Sequence, residues 1–428
     1  MGTPTPKTLR ILFALSILVE LVMLSFYKGL PNIYISVWIW FIAGLTTCVT
    51  AYLLIGKSSN PKQISPVLQD RLIVWIVFTL SALFIGSKLQ VIFSQIEISP
   101  SNSDVIPAIQ FYVRRMLAGE MIYAPMPMGG WDVIPNYLPL SWLSFTFSEV
   151  AKIDYRWTAF LVFITANFIW TLRVLRQDTS LLEKVIKSCL PFLFLVPFAL
   201  KVPDVFGNVV ELNIVGHYLL LSLALFSRNR YVLAGGILLC LLSRFSFTFW
   251  LPAFFIIYWA EYGFKAILQV GLAVLAGFIL IYIIPFVLND QSNFLNGMKY
   301  YQYATLAEWE VKGWQQPGDK PFHLGRGHGF AVYFYDYISG SLEDKLNALK
   351  RAQVIASLIA AAGFIGFYFM QRKKGLNFSN YALIGLKFYM LIFYAFIQVP
   401  YTYLHLVPFF ISMALIYQVA FSRSVTST

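Results

Sequence analysis

"YLPLSWLSFTFSEV", Tyr137 to Val150, is an apolar run of 14 residues, and whether it crosses a membrane decides how the rest of the chain is threaded. A helix rises 1.5 Å per residue, so such a run spans about 21 Å, short of a hydrocarbon core of roughly 30 Å. If it crossed, the next apolar stretch, residues 157–175, would run outward and leave Arg173, Arg176, Lys184 and Lys187 on the exterior. If it turns back, all four land in the cytoplasm, as the positive-inside rule prefers. The run therefore reads as re-entrant or interfacial.

The surrounding composition requires a membrane. Of 428 residues, 58% are hydrophobic and only 12% charged, about half the charged share of a soluble domain. With the amino terminus inside, spans over 9–27, 34–54 and 72–93 put Lys57, Lys62 and Arg71 in the cytoplasm. Beyond the non-crossing run, 157–175 runs inward, 188–200 outward and 209–226 inward to Arg228 and Arg230. The segment 231–262 splits around "SRFSFTF", and 266–288 exits. A polar segment, 289–351, stays outside; spans 352–370, 380–397 and 403–421 follow, with Arg372, Lys373, Lys374 and Arg423 inside. The expected fold is all-α, a polytopic membrane helical bundle of about twelve spans forming one domain over 1–428, because helices satisfy their own backbone in lipid.

The net charge of +12 comes from these cytoplasmic loops and does not mark a nucleic-acid surface. Cys48, Cys189 and Cys240 fall inside apolar runs without CxxC spacing, and suggest neither a disulfide framework nor a thiolate metal site. Lys7 and Arg10 precede an apolar stretch as in a signal peptide, but no small-residue cleavage pattern follows, and the stretch reads as the first span.

This threading gathers His217, His323, His328, His405 and most acidic residues at the outer side, so any chemistry faces the exterior. There "SNSDVIPAIQFYVRRMLAGEMIY" (Ser101 to Tyr123) reads as an amphipathic helix on the membrane surface. Ser103 or Asp104 caps it, Pro107 lies in its first turn, and a polar stripe carries Asp104 and Arg115. About 16 Å of helix axis separates those two, too far for an ion pair. Asp104 is thus a helix cap or a general base. Arg244, in "SRFSFTFWLP", is costly inside an apolar segment unless it faces a cavity or has a partner. Its guanidinium suits phosphate; pairing with Glu211 or snorkelling to headgroups is the alternative. Glu211, Asn213 and His217 share "NVVELNIVGHYLL" (Asn208 to Leu220) and either line the same cavity or bond between helices. Arg326 and His328 lie in the Gly-rich "HLGRGHGFAVYFYDY", after a run holding Tyr300, Tyr301, Tyr303, Trp309 and Trp314. Aromatic faces and a cationic loop suit a sugar or phosphate, and the histidines lack metal spacing. "VPYTYLH" (Val399 to His405) would close the cavity from its other side, and Glu20 in the first span has no assigned role.

Asp104, Tyr112, "AGEMIY" (Ala118 to Tyr123) and "NYLPLSWL" (Asn136 to Leu143) form the pattern Asp, Tyr, Gly-x-x-x-Tyr, Tyr-x-Pro-Leu. It resembles the start of the GT-C superfamily of membrane glycosyltransferases, nearest to the polyprenol-phosphate-mannose-dependent mannosyltransferases, over residues 72–264. The resemblance implies two added amino-terminal spans (1–71), a core (72–264) with external loop 94–156, a second external loop (289–351) and carboxy-terminal spans (352–428). It also implies transfer of a hexose such as mannose from a polyprenyl-phosphate carrier to a lipid- or glycan-linked acceptor hydroxyl outside, with inversion. Asp104 would be the base; Asp132 falls outside the matching position. Arg244, helped by Arg115 and Arg326, would hold the donor phosphate, at a position where relatives often have lysine. Tyr112, Asn136, Tyr137, Glu211, His217 and His328 would line the substrate site. No cofactor is expected; some relatives use a divalent cation, for which the single Asp of the motif gives little support.

Two other readings stay open. A lipid-linked glycan ligase would use Arg326 and His328, and a lipid or solute transporter would account for Glu20 as an intramembrane charge. The expected location is a bacterial plasma membrane with the site facing the periplasm. The glycosylation-type "NFS" at Asn377 falls on the cytoplasmic side.

Overall fold

The protein was analysed as a computed structural model that describes residues 5–27, 32–57, 64–128, 130, 132–134, 136–310 and 320–421. The described residues are helical apart from loops and a two-residue antiparallel hairpin, β1 (Met126–Pro127) with β2 (Asp132–Val133). Seven helical segments among them are long and apolar enough to cross a membrane. These are α1 (Pro6–Ser25), α2 (Ile33–Ile55), α3 (Leu68–Gln95), α6 (Tyr155–Leu175), α12 (Phe264–Phe278) with the π-helix Ile279–Val287 that prolongs it, α16 (Leu342–Gln371) and α17 (Phe378–Ala395).

Fewer helices meet that standard than the twelve spans expected, and the cause lies mostly between residues 181 and 262. There α9 (Glu211–Ala224), α10 (Arg230–Leu241) and α11 (Trp250–Tyr262) have only 14, 12 and 13 residues, about 18 to 21 Å each. Helix α7 (Leu181–Lys201) is longer, but it carries Glu183, Lys184 and Lys187 and is interrupted by Pro191 and Pro197. Helix α18 (Leu406–Gln418) has 13 residues. The run 137–150 forms no long helix: two 3-10 turns, Pro139–Ser141 and Leu143–Phe145, lead into the six-residue α5 (Thr146–Ala151).

Hydrogen bonds sort the loops into two ends. At one end the Asn377 N–H donates to the Gly56 carbonyl (2.8 Å), Ile64 N–H to Arg176 (2.8 Å), Ser379 Oγ to Leu225 (2.8 Å) and Arg10 to Phe421 (3.1 Å). At the other, the Tyr123 N–H donates to Asp290 (2.6 Å), Tyr300 OH to the Asp132 carbonyl (3.2 Å) and Trp309 Nε1 to that of Gln398 (2.9 Å). The first end collects the Lys- and Arg-rich loops and the second the two long polar loops, which is the grouping that positive-inside threading demands. The second end also holds α4 (Val105–Ala118), α8 (Asp204–Gly207), α13 (Gln291–Glu310), α14 (Phe322–Arg326) and α15 (Ala331–Tyr337).

Helices α10 and α11 form a hairpin that starts and finishes at the first end: Arg230 bonds Gln269 there, and Glu261 accepts from Tyr368 OH (2.5 Å). Twelve residues carry α10 only about 18 Å, so the hairpin's tip, residues 243–249, stays inside the bundle and holds Arg244 there. Arg156 fixes the root of the first long loop. It is 4% exposed, pairs with Asp154, and donates to the carbonyls of Phe93 (3.0 Å), Ile96 (2.7 Å) and Gly207 (3.0 Å), joining the ends of α3, α6 and α8.

The first two helices are built into the bundle. Glu20 of α1 is 0% exposed, accepts from Thr47 of α2 (2.9 Å) and pairs with Lys387 of α17 (2.5 Å), which also donates to the Pro408 carbonyl (2.8 Å). Each member of the pair is affordable in an apolar interior only because of the other. Lys387→Met should therefore lower unfolding stability by about 3 kcal/mol, and adding Glu20→Gln should return most of it, read by thermal unfolding in one detergent. Equal stability in all three proteins would show that the pair carries no such coupling.

Candidate functional site

Helix α4 begins where Ser103 Oγ accepts from the Val105 N–H (3.3 Å) and stops at Gly119, whose φ of 72° only glycine adopts cheaply. Ile106, Ile109, Tyr112 and Val113 bury its inner face. Asp104 occupies the N-cap position, but its carboxylate makes no capping bond. The capping alternative for Asp104 thus lacks its hydrogen bond. Desolvation raises the Asp104 pKa above the ordinary value, opposed by a hydrogen bond from its own backbone.

Residues 137–145 pack under α4. The Tyr137 N–H donates to Tyr112 OH (3.1 Å), and the Tyr112 ring stacks on Trp142 (5.4 Å, 13°) and Tyr137 (5.9 Å, 29°). The Leu140 N–H donates to Leu242 (2.9 Å), docking this run on the tip of the α10–α11 hairpin. That tip presents Arg244, which bonds Glu211 at the first turn of α9. The pairing foreseen as an alternative is present, but it does not consume the arginine. The Arg244 side chain is 30% exposed and its Nε has no partner, while Glu211 is 3% exposed with Oε1 unpartnered.

The two ends of the candidate mechanism converge. Tyr137 and Tyr403 each lie within electrostatic reach of both Asp104 and Arg244. Tyr301 and Tyr394 add to the wall beside Arg244, and Tyr401 and Glu308 to that beside Asp104. Three segments distant in sequence, around Tyr137, Tyr301 to Glu308 and Tyr394 to Tyr403, thus carry side chains within electrostatic reach of Asp104, of Arg244 or of both.

The other expected site residues have different surroundings. Arg115 donates to the carbonyls of Ile122 (3.4 Å), Ala124 (2.5 Å) and Pro125 (2.7 Å), so its guanidinium holds the following loop in shape. Tyr112 is fully buried and positions Tyr137; Tyr112→Phe should remove the bond to the Tyr137 N–H and cost about 1 kcal/mol of stability with the fold kept, measured by thermal unfolding. Asn136 donates to Met298 Sδ (2.8 Å). His217 Nδ1 bonds Ser243 Oγ (2.8 Å), one residue from Arg244. His328 is buried among Tyr27, Trp40 and His405, with ring centroids 6.1, 6.3 and 6.2 Å away. Its loop fits because a Cβ at Gly327 would come within 2.2 Å of the Pro400 carbonyl oxygen. The Arg326 side chain lies outside the described residues.

Sequence reasoning missed Glu308. It accepts from Tyr401 OH (3.0 Å), lies 3.6 Å from His323 Nε2, and has its pKa raised by desolvation and by the Asp104 charge, against the lowering effect of Tyr401. Its only signal was its place within the aromatic run, between Tyr303 and Trp309 with Glu310 beyond. No group of three or more His, Cys, Asp or Glu side chains among the described residues is arranged to hold a metal. A cavity of about 270 Å³ lies on another flank of α4, between Gln110, Arg114, Glu149 and Tyr155, and contains none of the expected site residues.

No family model, curated protein or solved structure matches the chain.

Proposed function

We propose that the protein is a membrane glycosyltransferase of the GT-C type, with about twelve passes, that moves a hexosyl group from a polyprenyl-phosphate carrier to an acceptor hydroxyl outside a bacterial plasma membrane. The observation that supports the reading is that Tyr137 and Tyr403 each lie within electrostatic reach of both Asp104, whose carboxylate makes no capping bond, and the partly exposed Arg244. In this reaction the acceptor oxygen attacks the anomeric carbon and its proton passes to the Asp104 carboxylate. The bond between that carbon and the phosphate oxygen breaks, and its electron pair leaves with the carrier phosphate. Arg244, still bonded to Glu211, offers its remaining N–H groups to the growing negative charge.

The ligase reading is weakened by the full burial of His328 among Tyr27, Trp40 and His405, and the transporter reading by the pairing of Glu20 with Lys387. The test is transfer of radiolabelled sugar from a panel of synthetic polyprenyl-phosphate sugars to a cell-envelope lipid extract, with wild type and Asp104→Asn side by side. Transfer by the wild type alone is expected. Equal transfer by both would remove Asp104 from the chemistry.

A further inference from the structure

We propose that Glu308, His323, Tyr401 and Tyr403 form a carbohydrate subsite, so that the acceptor is a neutral glycan or polyol that presents neighbouring hydroxyls. The inference rests on the transferase reading for the word acceptor, but the subsite stands on its own geometry. Tyr401 and Tyr403 stack nearly parallel, with centroids 5.3 Å apart at 21°, and the His323 ring lies 4.4 Å from Tyr401. Sugar rings have apolar C–H faces that rest on aromatic surfaces of this kind. Beside them Glu308 is 36% exposed, and the Tyr401 hydroxyl is bonded to Oε1. A carboxylate has about four lone-pair positions, so one such bond leaves room for two adjacent hydroxyls.

Charge separates this rim from the deeper donor position. Asp104 and Glu308 make the rim acidic, and the cation, Arg244, is held at the hairpin tip. An anionic headgroup would meet the two carboxylates of Asp104 and Glu308, whereas a neutral hydroxylated ring meets those acceptors, the tyrosine hydroxyls, the His323 ring and aromatic faces.

The full chain, purified into nanodiscs without donor, is titrated by calorimetry with a neutral linear hexose tetrasaccharide and, separately, with glycerophosphoglycerol. Binding of the tetrasaccharide is expected, weakened about tenfold by Glu308→Gln, as for one lost hydrogen bond to a charged group. Tyr403→Ala should weaken it comparably, and Gln110→Ala, on another flank of α4, should not. Thermal unfolding checks that each variant is folded, with Glu308→Gln the variant least able to perturb packing. No binding at millimolar sugar, undiminished binding by folded Glu308→Gln, or preference for the anionic compound would overturn the proposal. Sugar binding without transfer from any polyprenyl-phosphate donor would keep the subsite and sink the transferase reading alone; transfer to a lipid headgroup by a protein that binds no sugar would do the reverse.

Discussion

Asp104→Asn is expected to reduce sugar transfer by about 10² to 10⁴, the usual worth of a positioned general base, without weakening the fold. Asparagine caps a helix about as well as aspartate, so Asp104→Ala is the variant that separates the base from the cap. A capping aspartate replaced by alanine would take about 1 kcal/mol of stability with it, but Asp104→Ala should keep the stability as well, because this carboxylate makes no capping bond. Its pKa is raised by desolvation, so the folded protein binds the proton more tightly than the unfolded chain. Stability from such a group is full below the unfolded value and is lost as pH rises through the folded one. At neutral pH the ionised carboxylate is a burden, and the neutral amide should leave the unfolding temperature unchanged or higher. The same shift places the acid limb of kcat/KM above the ordinary value of 3.8, and that limb should vanish in the variant's residual activity. A folded Asp104→Asn protein with full transfer at every pH would end this assignment.

Replacing Arg244 should cost both activity and stability, and the two can be pulled apart. Arg244→Gln leaves Glu211, 3% exposed, without its cation, a situation worth about 3 to 5 kcal/mol. Adding Glu211→Gln removes the stranded charge, so the double variant should recover most of the stability. Transfer should stay down by about 10² to 10³ in both, because neither regains a cation for the departing phosphate. Recovery of transfer along with stability would mean that Arg244 serves only to neutralise Glu211.

The sequence made the membrane setting, the all-helical class and the turning back of residues 137–150 legible, because hydropathy, length and the placement of Lys and Arg are local properties. The half-height hairpin was visible only as a split around "SRFSFTF". Helices of 12 and 13 residues that stop inside a bundle are tolerated when neighbours satisfy their ends, as the Leu140 N–H does for Leu242, and such a bond joins residues too far apart to be read from a pattern. Arg115 and Arg244 looked alike as phosphate ligands. Only the loop geometry after Gly119 shows that the first is occupied by three carbonyls. Glu308 and Lys387 escaped notice because each is a single charge whose meaning depends on a partner more than 90 positions away.

The bond between Glu20 and Lys387 also bears on how the chain is made. Their positions differ by 367, and ribosomes add roughly 5 to 20 residues per second, so the first helix waits tens of seconds before its counterion is synthesised. During that interval the inserted glutamate lacks the counterion that makes it tolerable in an apolar interior. Arrival of α17 then locks α1 to a helix whose lysine lies 367 residues later, making synthesis of α17, and not insertion of the opening helices, the step that commits these helices to their final arrangement.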